Sequence, residues 1–324
     1  MSTNIINTDN VSLVDSMAFD GSAVSMLDFK NGVVMVGNNI IVDVSEDADE
    51  IVLPRDCVVS HAIEKRHLKK AVIKDMKMLS ALQLNADTIV IDDDNERVRK
   101  SLAKYGLTYA KTIELTEKTR SLGYIDVDGI VYSADKKTLL VCPGRRTKPV
   151  NIPEGTEVIS AFAFADSMIE SVSMPDSLKR IEQHAFNGCK CLMHVDIGKG
   201  LTNLGEPFSS GAMFNGCRSL QYIDIPENIK YISSNCFSNS GLTSVTLHEG
   251  LETIDSGAFN CPIQNVEIPK SVKNIDLWNF PMLDEANIKT HSMPAITSIV
   301  KSNCKKWNCR SNMADLKINI DCMA

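Results

Sequence analysis

Hydrophobic and polar positions follow a phrase that recurs about every 22 residues over the second half of the chain. An apolar pair, often followed by proline, leads to an apolar-x-x-Ile step and then to a phenylalanine that often follows alanine. The phenylalanines of successive copies are Phe164, Phe186, Phe214, Phe237, Phe259 and Phe280. A fixed period of this length predicts a solenoid, because each coil can bury its apolar residues only against its neighbours.

Each copy also contains the signal of a short strand. Leu220-x-x-Ile223-x-Ile225 ends with two apolar residues two positions apart, which is the period of a strand with one buried face. Proline or glycine then ends the strand, and Asn-Gly or Asn-Ser after the phenylalanine makes the return corner. We therefore expect strands of successive coils to pair in parallel into one long sheet, with the apolar-x-x-Ile step forming the opposite wall.

The spacing of the phenylalanines is longest between Phe186 and Phe214. Residues 205–211 read Gly-Glu-Pro-Phe-Ser-Ser-Gly, an insertion of about six residues that is rich in turn formers. Such an insertion is expected to project as a loop from one edge of a solenoid without disturbing the stack.

The phrase and its fainter relatives divide the chain into five parts. Residues 31–123 are predicted to be a hairpin plus degenerate leucine-rich-repeat coils, 124–151 a second hairpin, and 152–290 the regular repeats. Residues 1–30 and 291–324 are the predicted N-terminal and C-terminal caps, because the end coils of a solenoid would otherwise expose core and sheet edge. An unrelated small α/β cap is the alternative for the N-terminal third.

Helix signals are few. Residues 92–94 are three aspartates that suit the positive N-terminus of a helix over 96–105, and Gly106 suits its C-terminal end. A second helix is predicted over 296–307, followed by a last strand over 316–320.

The complete phrase, with Ile-Pro, apolar-x-x-Ile, Ala-Phe and Asn-Gly-Cys, resembles the BspA-like leucine-rich repeat over residues 152–288. Residues 128–143 resemble the hairpin that precedes such arrays. The resemblance implies a curved solenoid used for protein or surface recognition, and many members of the family are secreted adhesins. The expected fold class is an α/β-type repeat solenoid, a leucine-rich repeat with a parallel β-sheet face, hairpin lead-ins and capped ends.

Composition and charge narrow the range of partners. The chain has 324 residues, of which 23% are charged, and a net charge of −7, which does not suggest nucleic acid as a partner. No stretch approaches the roughly 20 apolar residues that span a bilayer, so no membrane insertion is expected. The first residues lack the pattern of a signal peptide, unlike secreted adhesins. We expect a cytoplasmic protein, or a surface or extracellular one if another export route is used.

The chain has ten cysteines, and several occupy repeat positions. Cys189, Cys217 and Cys261 follow the phenylalanine of their coils, and Cys236 replaces the alanine before Phe237. These positions favour a small apolar residue, and a free cysteine is one. We therefore expect reduced core thiols, with a disulfide framework as the alternative.

Catalytic motifs are not found in the sequence, so neither an enzyme nor a cofactor is predicted. The pairs Cys189-x-Cys191 and Cys304-x4-Cys309 lack the matching second pair of a structural zinc site. The aspartates at 92–94 could bind a cation, but a helix start is the commoner explanation. The basic run at 65–70 could contact an anionic partner, although it also suits a solvated turn.

The outward positions of the predicted sheet are the main functional candidates. If Val195 and Ile197 point inward, the residues between and before them point outward. One outward column is Ser173, Asp196, Asp224, Thr246, Glu267 and Asn287, and its neighbour is Ser171, His194, Tyr222, Ser244, Asn265 and Glu285.

From these columns the candidate binding residues on the concave face are His194, Asp196, Tyr222, Asp224, Asn265 and Glu267. Tyr222 beside Asp224 is the best hot-spot candidate, because tyrosine is favoured at interface centres. Glu206 and Phe208 of the insertion are the second candidate. The alternatives are a merely solvated polar face and an insertion whose Phe208 folds back onto the core.

The sequence thus predicts a non-enzymatic recognition module that binds a protein partner through its sheet face. The alternative is a structural, assembly or surface-adhesion protein that packs with other copies of itself or binds host surfaces. An enzyme is the third class. The sequence does not identify the partner.

Overall fold

The computed structural model describes residues 33–36, 40–44, 48–55, 58–59, 67–75, 84–95, 110–206, 211–263, 265–275, 279–280, 287–290 and 318–319. The chain forms two compact units. The first comprises Met1–Ala134 and Val141–Arg146, and the second comprises Asp135–Leu140 and Thr147–Ala324.

The first unit contains a hairpin and a parallel sheet. Strands β1 (Val33–Val36) and β2 (Ile40–Val44) pair antiparallel, and β4 (Val58–Val59) joins β2 in parallel. The parallel sheet has the order β3 (Glu50–Leu53), β5 (Leu68–Ile73), β6 (Ala86–Ile91) and β7 (Thr112–Leu115). Its register places two buried rows side by side, namely Ile51, Ala71, Ile89 and Ile113, and Leu53, Ile73, Ile91 and Leu115.

A short helix and a second hairpin follow β7 in the sequence. Helix α1 (Glu117–Arg120) begins at Thr116, whose side chain accepts a hydrogen bond from the Thr119 amide. A second hairpin joins β8 (Tyr124–Val127) to β9 (Ile130–Ser133) through Asp128-Gly129, both at positive φ, as a tight primed turn requires. A hairpin followed by parallel strands is the kind of arrangement predicted for residues 31–123, and the exact limits of that part stay a prediction.

The second unit is built from two walls of short parallel strands. The first wall, called the sheet face here, consists of β11 (Val150–Asn151), β13 (Ser171–Ser173), β15 (His194–Asp196), β17 (Tyr222–Ile225), β19 (Ser244–Leu247), β21 (Asn265–Ile268), β23 (Asn287–Thr290) and β24 (Ile318–Asn319). The opposite wall consists of β10 (Thr138–Val141, through Thr138 and Leu139), β12 (Val158–Ile159), β14 (Arg180–Ile181), β16 (Asn203–Leu204), β18 (Tyr231–Ile232), β20 (Thr253–Ile254) and β22 (Asn274–Ile275).

The prediction of one long sheet is wrong. On the sheet face, β11, β13 and β15 form one sheet and the strands from β17 to β24 form another. On the opposite wall, β14 and β16 belong to different sheets. Both interruptions adjoin the coil that carries residues 205–211. On the opposite wall β16 and β18, which flank the insertion, remain paired, so that wall accommodates the extra residues, whereas the ladder between β15 and β17 on the sheet face is interrupted.

The phenylalanine corner continues where the walls are interrupted. The six phenylalanines of the repeat are buried and stack on one another, with ring centroids 4.6 to 5.5 Å apart and planes within 13° of parallel. Backbone bonds run along the same corner, from Phe186 N to Met213 O at 2.9 Å and from Phe214 N to Cys236 O at 2.8 Å. This corner therefore links the long coil to its neighbours.

The corners use the left-handed region at two positions, both of them in four corners and the first alone at Phe259. The residue two before the phenylalanine has positive φ at Phe162, His184, Ala212, Asn235 and Gly257. The residue two after it has positive φ at Asp166, Gly188, Gly216 and Asn239. The preference of glycine for this region explains the glycine of the Asn-Gly corner, and asparagine, which also tolerates the region, occupies it at Asn235 and Asn239. At Gly188 a Cβ atom would also collide with the Asp166 carboxylate of the preceding coil.

The six cysteines within the described residues are free thiols, and five of them are buried. The Cys189 thiol donates to Phe164 O at 2.9 Å, and the Cys217 thiol donates to Phe186 O at 3.2 Å, so these thiols bond to the preceding coil. Burial raises the pKa of Cys261 to about 11 and that of Cys236 well above its usual value. These cysteines are core thiols, as their repeat positions predict.

Helices contribute almost nothing to the part of the chain that the structure describes, where α1 is the single one. The fold is therefore a β-solenoid with parallel sheets rather than the α/β type expected. The predicted helices over 96–105 and 296–307 and the cap over 1–30 lie outside the described residues. Of the C-terminal cap, the structure describes β24, which pairs with β23 in parallel.

Changing Phe186 to alanine should lower the free energy of unfolding by about 3–5 kcal/mol, because a fully buried ring between two stacked neighbours is removed. Denaturant melting measures the loss. Phe162→Ala is the control, since that ring is 37% exposed and lies outside the column. A loss of about 1 kcal/mol or less for Phe186→Ala would contradict the packed corner.

Changing Gly188 to alanine should destabilise the protein more than changing Gly155 to alanine. Both glycines have positive φ, +75° and +93°, so both substitutions carry backbone strain of about 1–2 kcal/mol. Only at Gly188 does the new methyl group also meet a neighbour, whereas nothing lies within 4 Å of it at Gly155. Equal losses in denaturant melting would show that the contact with Asp166 is unimportant.

Candidate functional site

A groove of about 290 Å³ lies on the sheet face of the second unit, across β11, β13, β15 and β17. It coincides with the interruption between β15 and β17. Its lining residues are Asn151, Ser171, Val172, Ser173, His194, Val195, Asp196, Tyr222, Ile223 and Asp224. Seven of these residues are polar or aromatic and occupy outward strand positions, and Val172, Val195 and Ile223 lie between them along the strands.

Strand alternation explains which side chains the groove presents. Val172 and Ile223 are 2% and 1% exposed, so the residues on either side of them point outward. Val195 is only half-buried, although the ladder places it opposite Val172. Its greater exposure fits its position at the interrupted edge of β15.

Three hydrogen bonds hold four of the outward side chains of the groove in place. The Ser173 hydroxyl donates to Asp196 Oδ2 at 3.1 Å, and the Tyr222 hydroxyl lies 3.1 Å from Thr246 Oγ1. His248 Nε2 lies 2.7 Å from Asp224 Oδ1. The parallel register places Ser173 opposite Asp196. The bond of Tyr222 joins the adjacent strands β17 and β19, and the bond of Asp224 joins β17 to the residue that follows β19.

The structure places four of the sequence-predicted residues, His194, Asp196, Tyr222 and Asp224, around this one groove. Asn265 and Glu267 lie on β21, beyond β19, and do not line it. Glu206 is exposed at the start of the insertion, and Phe208 lies outside the described residues.

The prediction for the last coil is wrong by two positions. The ladder pairs Asn265 with Asn287 and Glu267 with Lys289, so Asn287 belongs to the column of Asn265 and not to that of Glu267. The apolar residue Ile288 pairs with Val266, whereas the pattern aligned it with Ile268. This coil lacks the regular phrase that would have set its register. Glu285, also assigned to a column, lies outside the described residues.

Two residues of the site were missed. Asn151 lines the groove from β11, and the outward position between Val150 and Ile152 is the signal that could have identified it. His248 follows β19 by one residue, so a search confined to strand positions does not reach it.

The carboxylates of the two walls differ in their partners. On the opposite wall, Glu157 lies 2.9 Å from Lys137 and 2.7 Å from Lys179, and hydrogen bonds from these ammonium groups lower its pKa. Glu252 is likewise 3.0 Å from Lys273. Among the described residues, neither Asp196 nor Asp224 has a lysine or arginine nitrogen within 4.0 Å. The groove is thus the more acidic surface.

The side chains of this groove are mostly polar. It presents hydroxyl groups, two carboxylates, an imidazole and the face of Tyr222, which is 51% exposed. A search of the described residues finds no group of three metal-ligating side chains. Nor does any helix in the described ranges have the length and apolar character needed to cross a membrane.

The solved structures most useful for comparison are bacterial leucine-rich repeat proteins. The pneumococcal vaccine antigen PcpA matches with a TM-score of 0.54 and 16% identity over 78% of this chain and 65% of that one. A leucine-rich cell surface protein of Faecalibacterium prausnitzii gives 0.47 and 22% over 79% and 65%. One of Eubacterium ventriosum gives 0.43 and 15% over 70% and 75%. The match to PcpA supports the fold.

The present chain spans 65% of the length of each of the first two proteins, less than two thirds. A comparison with curated proteins gave no significant match. The family model of the BspA-type leucine-rich repeat region matches residues 144–212 and 210–318 with six copies. That match covers more than half of the sequence and confirms the family predicted from the repeat phrase. The chain belongs to the BspA-type leucine-rich repeat family.

Proposed function

We propose that the chain recognises a protein partner through the sheet face of its second unit, with Tyr222 at the centre of the contact. The observation that carries this proposal is the exposure of Tyr222, 51%, within a groove whose other exposed side chains are polar. Tyrosine contributes a large rigid contact area, and it is enriched among the residues that dominate binding energy.

Pre-organisation supports the same proposal. The hydroxyl of Tyr222 is bonded to Thr246, and the carboxylates of Asp196 and Asp224 are bonded to Ser173 and His248. Side chains that are already held in place lose less conformational entropy when a partner binds. Except for His248, these side chains lie on strands and not on loops, which favours precise positioning.

The groove is smaller than a complete protein interface. A stable protein interface takes about 20–30 residues from each side, whereas ten residues line this groove. We therefore propose that the groove is the centre of the interface and that the outward residues of the flanking strands form its rim. Ser244 and Thr246 on β19 supply such a polar rim.

The test is site-specific photocrosslinking in a lysate of the native host, with a photoreactive phenylalanine analogue at position 222. We expect one discrete protein adduct from position 222 and none from position 180 on the opposite wall, where Arg180 is exposed. The same adduct from both positions, or from neither, would contradict the proposal.

The double variant Tyr222→Ala with Asp224→Ala should weaken capture of that protein by at least about thirtyfold, since hot-spot residues contribute 2 kcal/mol or more. The melting transition should not move, because both side chains are exposed. The control is Arg180→Ala with Glu182→Ala, an exposed ion pair of the opposite wall. Undiminished capture by the Tyr222 and Asp224 variant would rule out this part of the sheet face.

A further inference from the structure

The groove lies where the sheet face is interrupted, and this position gives it features that the rest of the face lacks. The ladder that joins β13 to β15, and the one that joins β17 to β19, have no counterpart between β15 and β17. The facing edges of these two strands therefore present main-chain groups that are not engaged in a ladder. Val195 is partly exposed at this edge.

Two carboxylates flank the interrupted edge, Asp196 on β15 and Asp224 on β17. Both are exposed, and their partners in the described part of the chain are neutral or weakly basic, a serine hydroxyl and an imidazole. By contrast, Glu157 and Glu252 on the opposite wall each lie within 3.0 Å of a lysine ammonium group. In the described chain no lysine or arginine pairs with either carboxylate, and the basic group beside them is His248 at Asp224, so a cationic group of a partner complements this part of the sheet face.

Tyr222 adds an aromatic face beside this charge. A cation over an aromatic ring is attracted by the negative face of the ring, and arginine makes such contacts more often than lysine. Arginine also has a planar group with five donors, which can pair with a carboxylate and with main-chain carbonyl groups at the same time. A lysine ammonium group matches the charge but not the flat ring.

We propose that the groove receives an arginine side chain of the partner, which stacks on Tyr222 and pairs with the carboxylates of Asp196 and Asp224. This inference rests on the proposed function and specifies its chemistry: the partner presents an arginine-bearing basic segment to the interruption between β15 and β17. The apolar floor formed by Val195 contacts the methylene groups of the arginine stem, as such stems commonly pack on apolar surface.

The experiment titrates the full chain into fluorescein-labelled tetra-arginine and tetra-lysine peptides at physiological salt and follows fluorescence anisotropy. Tetra-arginine should bind with a dissociation constant below about 1 mM, and at least about fivefold more tightly than tetra-lysine. Lack of binding of tetra-arginine at that concentration, or equal binding of the two peptides, would overturn the proposal.

Variants separate the groove from the overall negative charge of the protein. Asp196→Asn with Asp224→Asn should weaken tetra-arginine binding at least about tenfold, as expected for the loss of two charge-assisted contacts. Glu157→Gln with Glu252→Gln alters the net charge by the same amount on the opposite wall and should change binding less than about twofold. Equal effects of the two pairs would show non-specific attraction and reject the site.

Tyr222→Leu tests the aromatic face, because it keeps apolar bulk at that position. We expect a loss of at least about threefold for tetra-arginine and little change for tetra-lysine. An unchanged affinity for tetra-arginine would contradict stacking on Tyr222.

Failure of the arginine proposal can be distinguished from failure of the proposed function. If position 222 still crosslinks a host protein while tetra-arginine neither binds nor competes with that adduct, recognition through the sheet face stands and the arginine proposal is wrong. If both are right, excess tetra-arginine reduces the adduct.

Discussion

The stack of phenylalanines is the interaction on which the second unit depends. Backbone hydrogen bonding between adjacent strands sets a spacing of about 4.7–4.9 Å, and successive coils inherit it at the corner. The ring centroids are 4.6 to 5.5 Å apart, a separation suited to stacked aromatic rings. One distance therefore satisfies both the main chain and the rings, and the same residue type can occupy every coil.

The stacked rings also restrict the residues around them, because the main chain reverses tightly around each phenylalanine. In four corners that reversal uses a left-handed residue on each side of the phenylalanine, and the space after the second one is filled by a small residue, cysteine or serine. The thiols of Cys189 and Cys217 occupy that space and donate to carbonyl groups of the preceding coil. Residues that might suggest redox or metal chemistry are thus explained by packing.

The corner keeps its spacing at the long coil, and the interruptions lie in the ladders of the two walls. Residues 205–211 lengthen one coil, yet Phe186 and Phe214 still stack at 5.0 Å. The ladders are interrupted between β14 and β16 and between β15 and β17, whereas β16 and β18 pair across the insertion. The groove lies beside the second of these interruptions.

Most of the architecture could be predicted from the sequence, since the repeat phrase determines which residues are buried and which point outward. The interruption of the sheet could not, because the apolar and polar pattern of β15 and β17 is the same as that of strands that do pair. The register of β23 was missed for a related reason. Ile288 satisfies the apolar pattern equally well opposite Val266 or Ile268, and only the hydrogen-bonded ladder decides between them.

The two walls of the second unit differ in how their charged residues are paired. Repeats tend to place equivalent residues next to one another, and a stack of like charges would repel unless opposite charges are interleaved. The opposite wall follows this rule, with Glu157 between Lys137 and Lys179. Asp196 and Asp224 occupy equivalent positions on consecutive coils without an interleaved lysine or arginine in the described chain. The cationic partner that we propose would neutralise both carboxylates, and this is why we propose the sheet face, and not the opposite wall, as the recognition surface.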